Sequence, residues 1–381
     1  MTSNATFSAS GSKRWLSCPG SVQLSQRIDF EEPLSDSKKE GKAAHWVLEQ
    51  KIKGKSLLMP CIAPNGVQVT DDMHQHADEF ISDVLSVGAK LDPLFSEVRI
   101  YIDWLLPGQY GICDYQWYDT INDVLYVWDY KYGHTPVDAK DNSQGVYYSL
   151  DQRWISTVKK VVFTIYQPRS YHPDGVVRRW EFNRSTLMTW ADRFKQGYED
   201  AHKIDAPLNV GSHCKHCPAR GMCPALFERI NELKTVLDAP PSLTPEEVGL
   251  RLSMLEELHT LSGDAKTALH TQGLHFVRKG FALPGYKLTT KQTKRQLTDE
   301  GKLVGAAPMF GVQPDALYER KLKSLATLEK TLPPALVDMC TTKPEGKPIL
   351  VPDSDLRDGV STMAEAVFNS PVTMPDGARP L

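Results

Sequence analysis

Apolar residues recur along this chain first at helical and then at strand spacing. Residues 36–53, DSKKEGKAAHWVLEQKIK, predict a helix with Ala44, Val47 and Leu48 inward. Residues 71–90 predict a second, with Met73, Ala77, Phe80, Ile81, Val84 and Leu85 as its apolar positions. The period then falls to two. In EVRIYIDWLL, which opens at Glu97, Val98, Ile100 and Ile102 alternate with Arg99, Tyr101 and Asp103. Gly111–Lys131 reads GICDYQWYDTINDVLYVWDYK, two apolar and aromatic segments around the turn-like Asp119–Asp123, and predicts a hairpin.

Helix spacing returns over 142–158, with Val146, Leu150, Trp154 and Val158 on one side. Strands are expected at 160–167 and 176–182, and a helix at 184–203 with Leu187, Trp190, Phe194, Tyr198 and Ala201. Near the start, Ser10 or Ser12 would cap a short helix carrying Trp15 and Leu16, broken by Cys18-Pro19-Gly20 ahead of a second short helix. A hairpin cannot cover its own apolar face, so these helices must pack on the sheet. The result is a mixed α/β core of roughly 200 residues. Downstream, residues 244–271 predict one helix or a helical hairpin, 274–288 a strand pair around Leu283-Pro284-Gly285, and 311–338 one or two helices. The Pro-, Gly- and Asp-rich tail 341–381 is expected to be extended or partly disordered.

Composition narrows the class. No apolar run reaches transmembrane length, and MTSNATFSASGSKRW lacks a signal-peptide core, so a cytoplasmic chain without a membrane partner is expected. The formal net charge of -3 argues against bulk electrostatic binding of nucleic acid but leaves room for a local basic groove. Seven Lys or Arg from Arg278 to Lys302, against Asp299 and Glu300, would make either a DNA-facing patch or a solvated face. Seven cysteines are an odd count and argue against a disulfide scaffold. Cys214 and Cys217 form a CxxC, and Cys223 follows six residues later. Thiolates so spaced suit zinc or an iron–sulfur cluster, with Cys18, His213 or His216 as the fourth ligand. Cys18 taken alone is equally a small buried hydrophobe, and Cys340 reads as a free thiol.

The hairpin carries the candidate chemistry. Asp129 and Lys131 are two apart, so both side chains leave one face of a strand. A carboxylate and an ammonium beside a second carboxylate, Asp114, suit metal-assisted hydrolysis. Gly41 and His45 share a helix face, as do Gln144 and Tyr148. Glycine inside a helix costs about 1 kcal/mol against alanine, so Gly41 implies packing or close approach. Singly, each of these residues has an ordinary structural explanation: a rim ion pair for Lys131, helix packing for Tyr148, a strand end for Asp114.

Taken in order, the pieces are Gly41-x-x-x-His45, Glu97, Gly111-x-x-Asp114, Asp129-x-Lys131 and Gln144-x-x-x-Tyr148. Residues 7–226 thereby resemble the RecB-like branch of the PD-(D/E)xK nuclease superfamily. Cys18 with Cys214, Cys217 and Cys223 resembles the iron–sulfur staple of AddB-type and CRISPR-associated exonucleases in that branch. The whole chain resembles an uncharacterised phage and prophage family sharing SxxxRWLxCPGS-like, CKxCPAR-like and LPGYKL-like segments. One departure is Asp129, where many relatives carry glutamate.

The resemblance implies a restriction-endonuclease-like mixed sheet flanked by helices in a nuclease domain over 1–226, closed by a [4Fe-4S] cluster on the four cysteines, with zinc as the alternative. A helical, basic accessory domain over 227–340 and the tail 341–381 would follow. It implies an Mg²⁺- or Mn²⁺-dependent deoxyribonuclease, an exonuclease of phage recombination or DNA end processing. His45, Asp114, Asp129 and the carbonyl of Tyr130 would hold the metal. Lys131 would orient the attacking water, Glu97 would support the ligands or hold a second metal, and Gln144 and Tyr148 would position the phosphate or the lysine. Partners would be DNA, a single-strand annealing or single-strand-binding protein or a helicase, and a second copy of the chain, in a bacterial or phage-infected cytoplasm. The competing readings are a DNA-binding or recombination-complex subunit with weak or vestigial activity, and a metal-stabilised phage structural protein.

Overall fold

Strand alternation in the first half of the chain builds a sheet with two apolar faces, and helices cover both. The computed structural model describes residues 6–29, 34–238, 244–287, 305–310 and 313. The chain divides into two compact units, Met1–Leu288 and Thr289–Leu381. In the second, the described structure is a 3₁₀ turn, Ala307–Phe310. The helices expected at 311–338, the free thiol Cys340, the tail 341–381 and the basic residues from Lys291 to Lys302 lie outside the described residues.

Two short helices, α1 (Ser12–Ser17) and α2 (Gly20–Ser25), open the first unit. The long helices α3 (Asp36–Ile52) and α4 (Asp71–Ser86) follow, capped by the side chains of Ser35 and Thr70. Three strands come next: β1 (Ser96–Tyr101), β2 (Tyr110–Asp119) and β3 (Val124–Tyr130). Helix α5 (Ser143–Ser149) leads to β4 (Lys160–Tyr166), β5 (Val177–Asn183) and α6 (Arg184–Ala201). The five strands lie in sequence order, antiparallel except for the parallel β3–β4 pair. A parallel pair needs a crossover, and α5 with its flanking loops supplies it.

On one face, α3 and α4 bury Ala44, Val47, Phe80 and Val84 against Tyr115, Trp128, Tyr130 and Tyr166. On the other, α1, α5 and α6 bury Trp15, Val146, Tyr147, Leu187 and Phe194 against Ile100, Val127, Val161 and Phe163. The expected mixed sheet between helices is therefore present. Helix α5 sits unusually close to it. A Cβ on Gly145 would stand 2.5 Å from the Phe163 ring, and one on Gly111 would stand 3.1 Å from both Tyr147 and Tyr148. Hydrogen at these two positions sets the depth at which α5 docks.

Several expectations need correction. The helix foreseen over 142–158 ends at Ser149. Asp151 is fully buried and accepts the backbone N–H of Arg153 at 3.0 Å, so the chain turns locally and the helix ladder is not continued. Of the two readings of residues 244–271 the single helix is the one present, and it is longer: α8 runs unbroken from Pro245 to Arg278. The strand pair expected at 274–288 is the last turns of that helix and a turn near Leu283, whose carbonyl accepts from the Tyr286 N–H. Helix α7 (Pro224–Leu237), unforeseen in the sequence, packs with α8 around Leu226, Leu233, Leu261 and Ala265. Gly41 has open space where a Cβ would stand, so no packing contact accounts for it.

Candidate metal centre

The site forms where three strands lose their regular ladder. The β1–β2 register pairs Ser96 with Tyr115 and Val98 with Cys113, which sets Glu97 opposite Asp114. The β2–β3 register begins at Tyr115 with Trp128, which sets Asp114 next in line with Asp129. Three carboxylates thus form a row across the sheet. Glu97 has φ of 50°, the left-handed region that non-glycine residues seldom occupy. Opposite it, the alternation of β2 slips. Cys113 faces the α5 side, and so does Gln116, whose amide donates to the Tyr148 carbonyl at 3.0 Å. A slip of this kind re-aims a side chain, and here the re-aimed residue is Asp114.

Helix α3 delivers His45 to this row from the opposite layer. His45 Nδ1 lies 3.2 Å from Asp114 Oδ1 and 4.0 Å from Glu97 Oε1. Among the described residues, His45, Glu97 and Asp114 are the one group of His, Cys, Asp or Glu whose donor atoms all lie within 4.8 Å of one another. The second Asp114 oxygen accepts the Tyr130 backbone N–H at 2.6 Å.

Asp129 and Lys131 leave the same face of the chain, as their spacing predicts, with Lys131 Nζ 2.9 Å from Asp129 Oδ2. That oxygen is buried and has no well-directed hydrogen bond. Gln144 closes the arrangement. Its amide nitrogen donates to Asp129 Oδ1 at 3.0 Å and to the Tyr148 hydroxyl at 2.9 Å, while its oxygen accepts from Lys131 at 2.9 Å. Asn142 caps α5 by accepting the N–H groups of Gln144 and Gly145, which fixes where Gln144 starts. An asparagine just before a helix is a readable signal, and Asn142 is the contributor that the spacing of the candidate residues left out.

Burial and crowding perturb these groups. Burial opposes charge on His45, but Asp114, with Glu97 and Asp129 behind it, overrides this and raises the imidazole to about 9. Burial, then the charge of Asp114, pushes Glu97 up to about 7. Burial would raise Asp114 too, yet His45 and the Tyr130 N–H hold it below the usual carboxylate range. Asp129 is raised by burial, which Lys131 only partly offsets. Perturbed titration of this kind clusters at functional sites.

Four cysteines lie in one region apart from the sheet site. Cys18 follows α1, and its sulfur accepts the Asn209 N–H at 3.3 Å. Asn209 also donates through its side chain to the Ser17 carbonyl at 2.8 Å, and Gly20 donates to the Pro207 carbonyl at 2.9 Å. The N-terminal segment is thereby tied to the strand of chain leading into Cys214. His213 Nε2 lies 2.9 Å from the Asn209 carbonyl, and the nearby Cys18 and Cys214 thiols raise its imidazole to about 10, so of the proposed fourth ligands Cys18 and His213 are in this region, while His216 is exposed. Cys217 and Cys223 are buried beside Leu24 and Leu226. Their thiols are raised by burial and then, in part, by the nearby Cys18 and Cys214. No three of the four sulfurs converge within 4.8 Å. A tetrahedral zinc site draws thiolates to about 3.8 Å of one another.

Among the described residues no helix is long and apolar enough to cross a membrane. The sequence profile of the family described as "Protein of unknown function (DUF2800)" matches residues 4–358, a span that takes in the sheet site and all four clustered cysteines, and the chain belongs to that family.

Proposed function

We propose that this protein is a divalent-metal-dependent DNA nuclease of the RecB-like PD-(D/E)xK kind, working as an exonuclease in phage recombination or end processing. The observation that carries the reading is the convergence of His45, Glu97 and Asp114 within 4.8 Å, beside a lysine–carboxylate pair 2.9 Å apart. Carboxylates are drawn together there, the exposed Glu97 beside Asp114 and the buried Asp129, and a bound cation would offset their charge. Several carboxylates with one imidazole suit Mg²⁺ or Mn²⁺. His45, Asp114 and Asp129 would hold the ion, with Glu97 completing the shell or holding a second. When bound, it would acidify a water and offset charge on the phosphoryl oxygens.

The chain's own groups do the rest. Lys131 is fixed by Asp129 and Gln144, so its remaining donor capacity is aimed where an attacking water or a phosphate oxygen would sit. Gln144, locked by Tyr148, keeps that ammonium from swinging away. Attack at phosphorus with loss of the 3′ oxygen would leave a 5′-phosphate and a 3′-hydroxyl.

The four cysteines would hold a [4Fe-4S] cluster as a staple between the N-terminus and the end of the sheet domain. The test of the nuclease reading is degradation of linear single- and double-stranded DNA with and without Mn²⁺. Mn²⁺-dependent cleavage that Lys131→Ala abolishes supports it. Wild type and variant behaving alike would leave a DNA-binding subunit with a vestigial site as the better account.

A further inference from the structure

A polar cleft of about 500 Å³ opens directly from Lys131 and Gln144. One wall is the N-terminal segment, with Ser10, Ser12, Lys13 and Ser17, and the facing wall is the 136–143 loop with Lys140. Its floor includes Trp190 of α6. The guanidinium of Arg193 lies over the Trp190 ring at 3.9 Å, which holds that charge at the cleft. Ser12 donates to Ser143 at 2.7 Å, joining the two walls beside the lysine.

Charge in this cleft is unbalanced. Lys13, Lys140 and Arg193 have no carboxylate partner among the described residues, whereas Lys131 is paired with Asp129 at 2.9 Å. Against them stand Asp141 and Asp138, the latter held by His172 Nε2 at 3.0 Å. Side-chain hydroxyls and amides interleave with the cations, beside the apolar Leu16, Val137 and Trp190. That composition suits a chain of phosphates better than an apolar ligand. The nuclease reading leaves the SASGSKRWLS segment ahead of Cys18 without a task, yet this segment supplies one wall.

We propose that the cleft is the track for the scissile strand, in which Lys13, Lys140 and Arg193 bind the phosphates adjoining the one held at Lys131. The inference rests on the nuclease reading and adds the route of the nucleic acid. It also gives the tie between Cys18 and residues 207–214 a purpose, since that tie holds the N-terminal wall in place.

The experiment uses the full chain and a short 5′-phosphorylated single strand, with Ca²⁺ in place of Mn²⁺ so that binding is read by fluorescence anisotropy over a salt series. Lys13 and Lys140 are exposed, so Lys13→Ala/Lys140→Ala keeps the fold, and equal thermal unfolding checks this. Arg193→Gln is the second variant, and Lys195→Ala, on the same helix but outside the cleft, is the control. The double variant is expected to bind about tenfold more weakly, with a log–log salt slope shallower by about 1.4, because each phosphate neutralised on a single strand contributes about 0.7. Unchanged affinity and slope in both variants, with Lys131-dependent cleavage intact in wild type, would overturn the track and leave the nuclease reading standing. Wild type that cleaves no DNA removes both.

Discussion

Asp114 accepts the backbone N–H of Tyr130 at 2.6 Å, and so finishes with a side chain the ladder that main-chain pairing leaves incomplete. The neighbouring N–H, of Lys131, points the other way and is taken by the Tyr166 carbonyl at 2.9 Å. One carboxylate therefore has two tasks: it closes the end of the β2–β3 ladder and faces His45.

Those tasks separate on substitution. Asp114→Asn keeps an oxygen for the Tyr130 N–H but removes the charge. The expected result is a folded protein with near-native thermal unfolding and a loss of Mn²⁺-dependent cleavage of at least about 100-fold. Calorimetric titration with Mn²⁺ should show the same loss. Full metal affinity in the folded variant would remove Asp114 from the ligand set.

The pH dependence has a definite sign. In the metal-free protein, His45 is raised to about 9 from 6.5, and Glu97 to about 7 from 4.5. Both folded-state pKa values lie above the unfolded ones, so each group stabilises most fully below its unfolded pKa and loses that contribution as pH rises through the folded one. Metal-free stability should fall between about pH 5 and pH 9. Metal binding must displace these protons, so Mn²⁺ affinity should rise over the same window. Thermal melts with and without Mn²⁺ at both ends of that window check this. A His45→Gln protein should show a flatter profile, and an unchanged profile would sink the assignment.

Gly145 offers a test of α5 docking that is independent of charge. A methyl group there meets the Phe163 ring at 2.5 Å, and neither element can retreat without moving Gln144. Gly145→Ala is expected to destabilise the fold by about 1–3 kcal/mol, measured by denaturant unfolding. It should also lower activity more than stability alone explains, because Gln144 is the adjacent residue.

For the cysteines, Cys18→Ala should lose iron and the broad visible absorption of a cluster, and unfold at lower temperature. A colourless wild-type protein that binds zinc stoichiometrically would instead assign the site to zinc. Normal iron content and stability in Cys18→Ala would end the staple idea.

Period and punctuation in the sequence determined most elements: the capped helices carrying His45 and Phe80, the hairpin, and the shared face of Asp129 and Lys131. These follow from local rules, since a residue two along a strand or four along a helix is a neighbour by geometry. Local rules also misled where side chains competed with them. Asp151 stops a helix that apolar spacing would have carried to Val158, and α8 continues through residues that read as a strand pair. Only the tertiary structure decided that Glu97 stands level with Asp114, because that depends on a left-handed φ in one strand and a slipped alternation in its partner. It also decided that His213 comes near Cys18 and Cys214, and that the N-terminal segment lines a cleft beginning at Lys131. Such meetings arise from register and layer packing between residues far apart in the chain, and a linear pattern carries no signal of distance across a sheet.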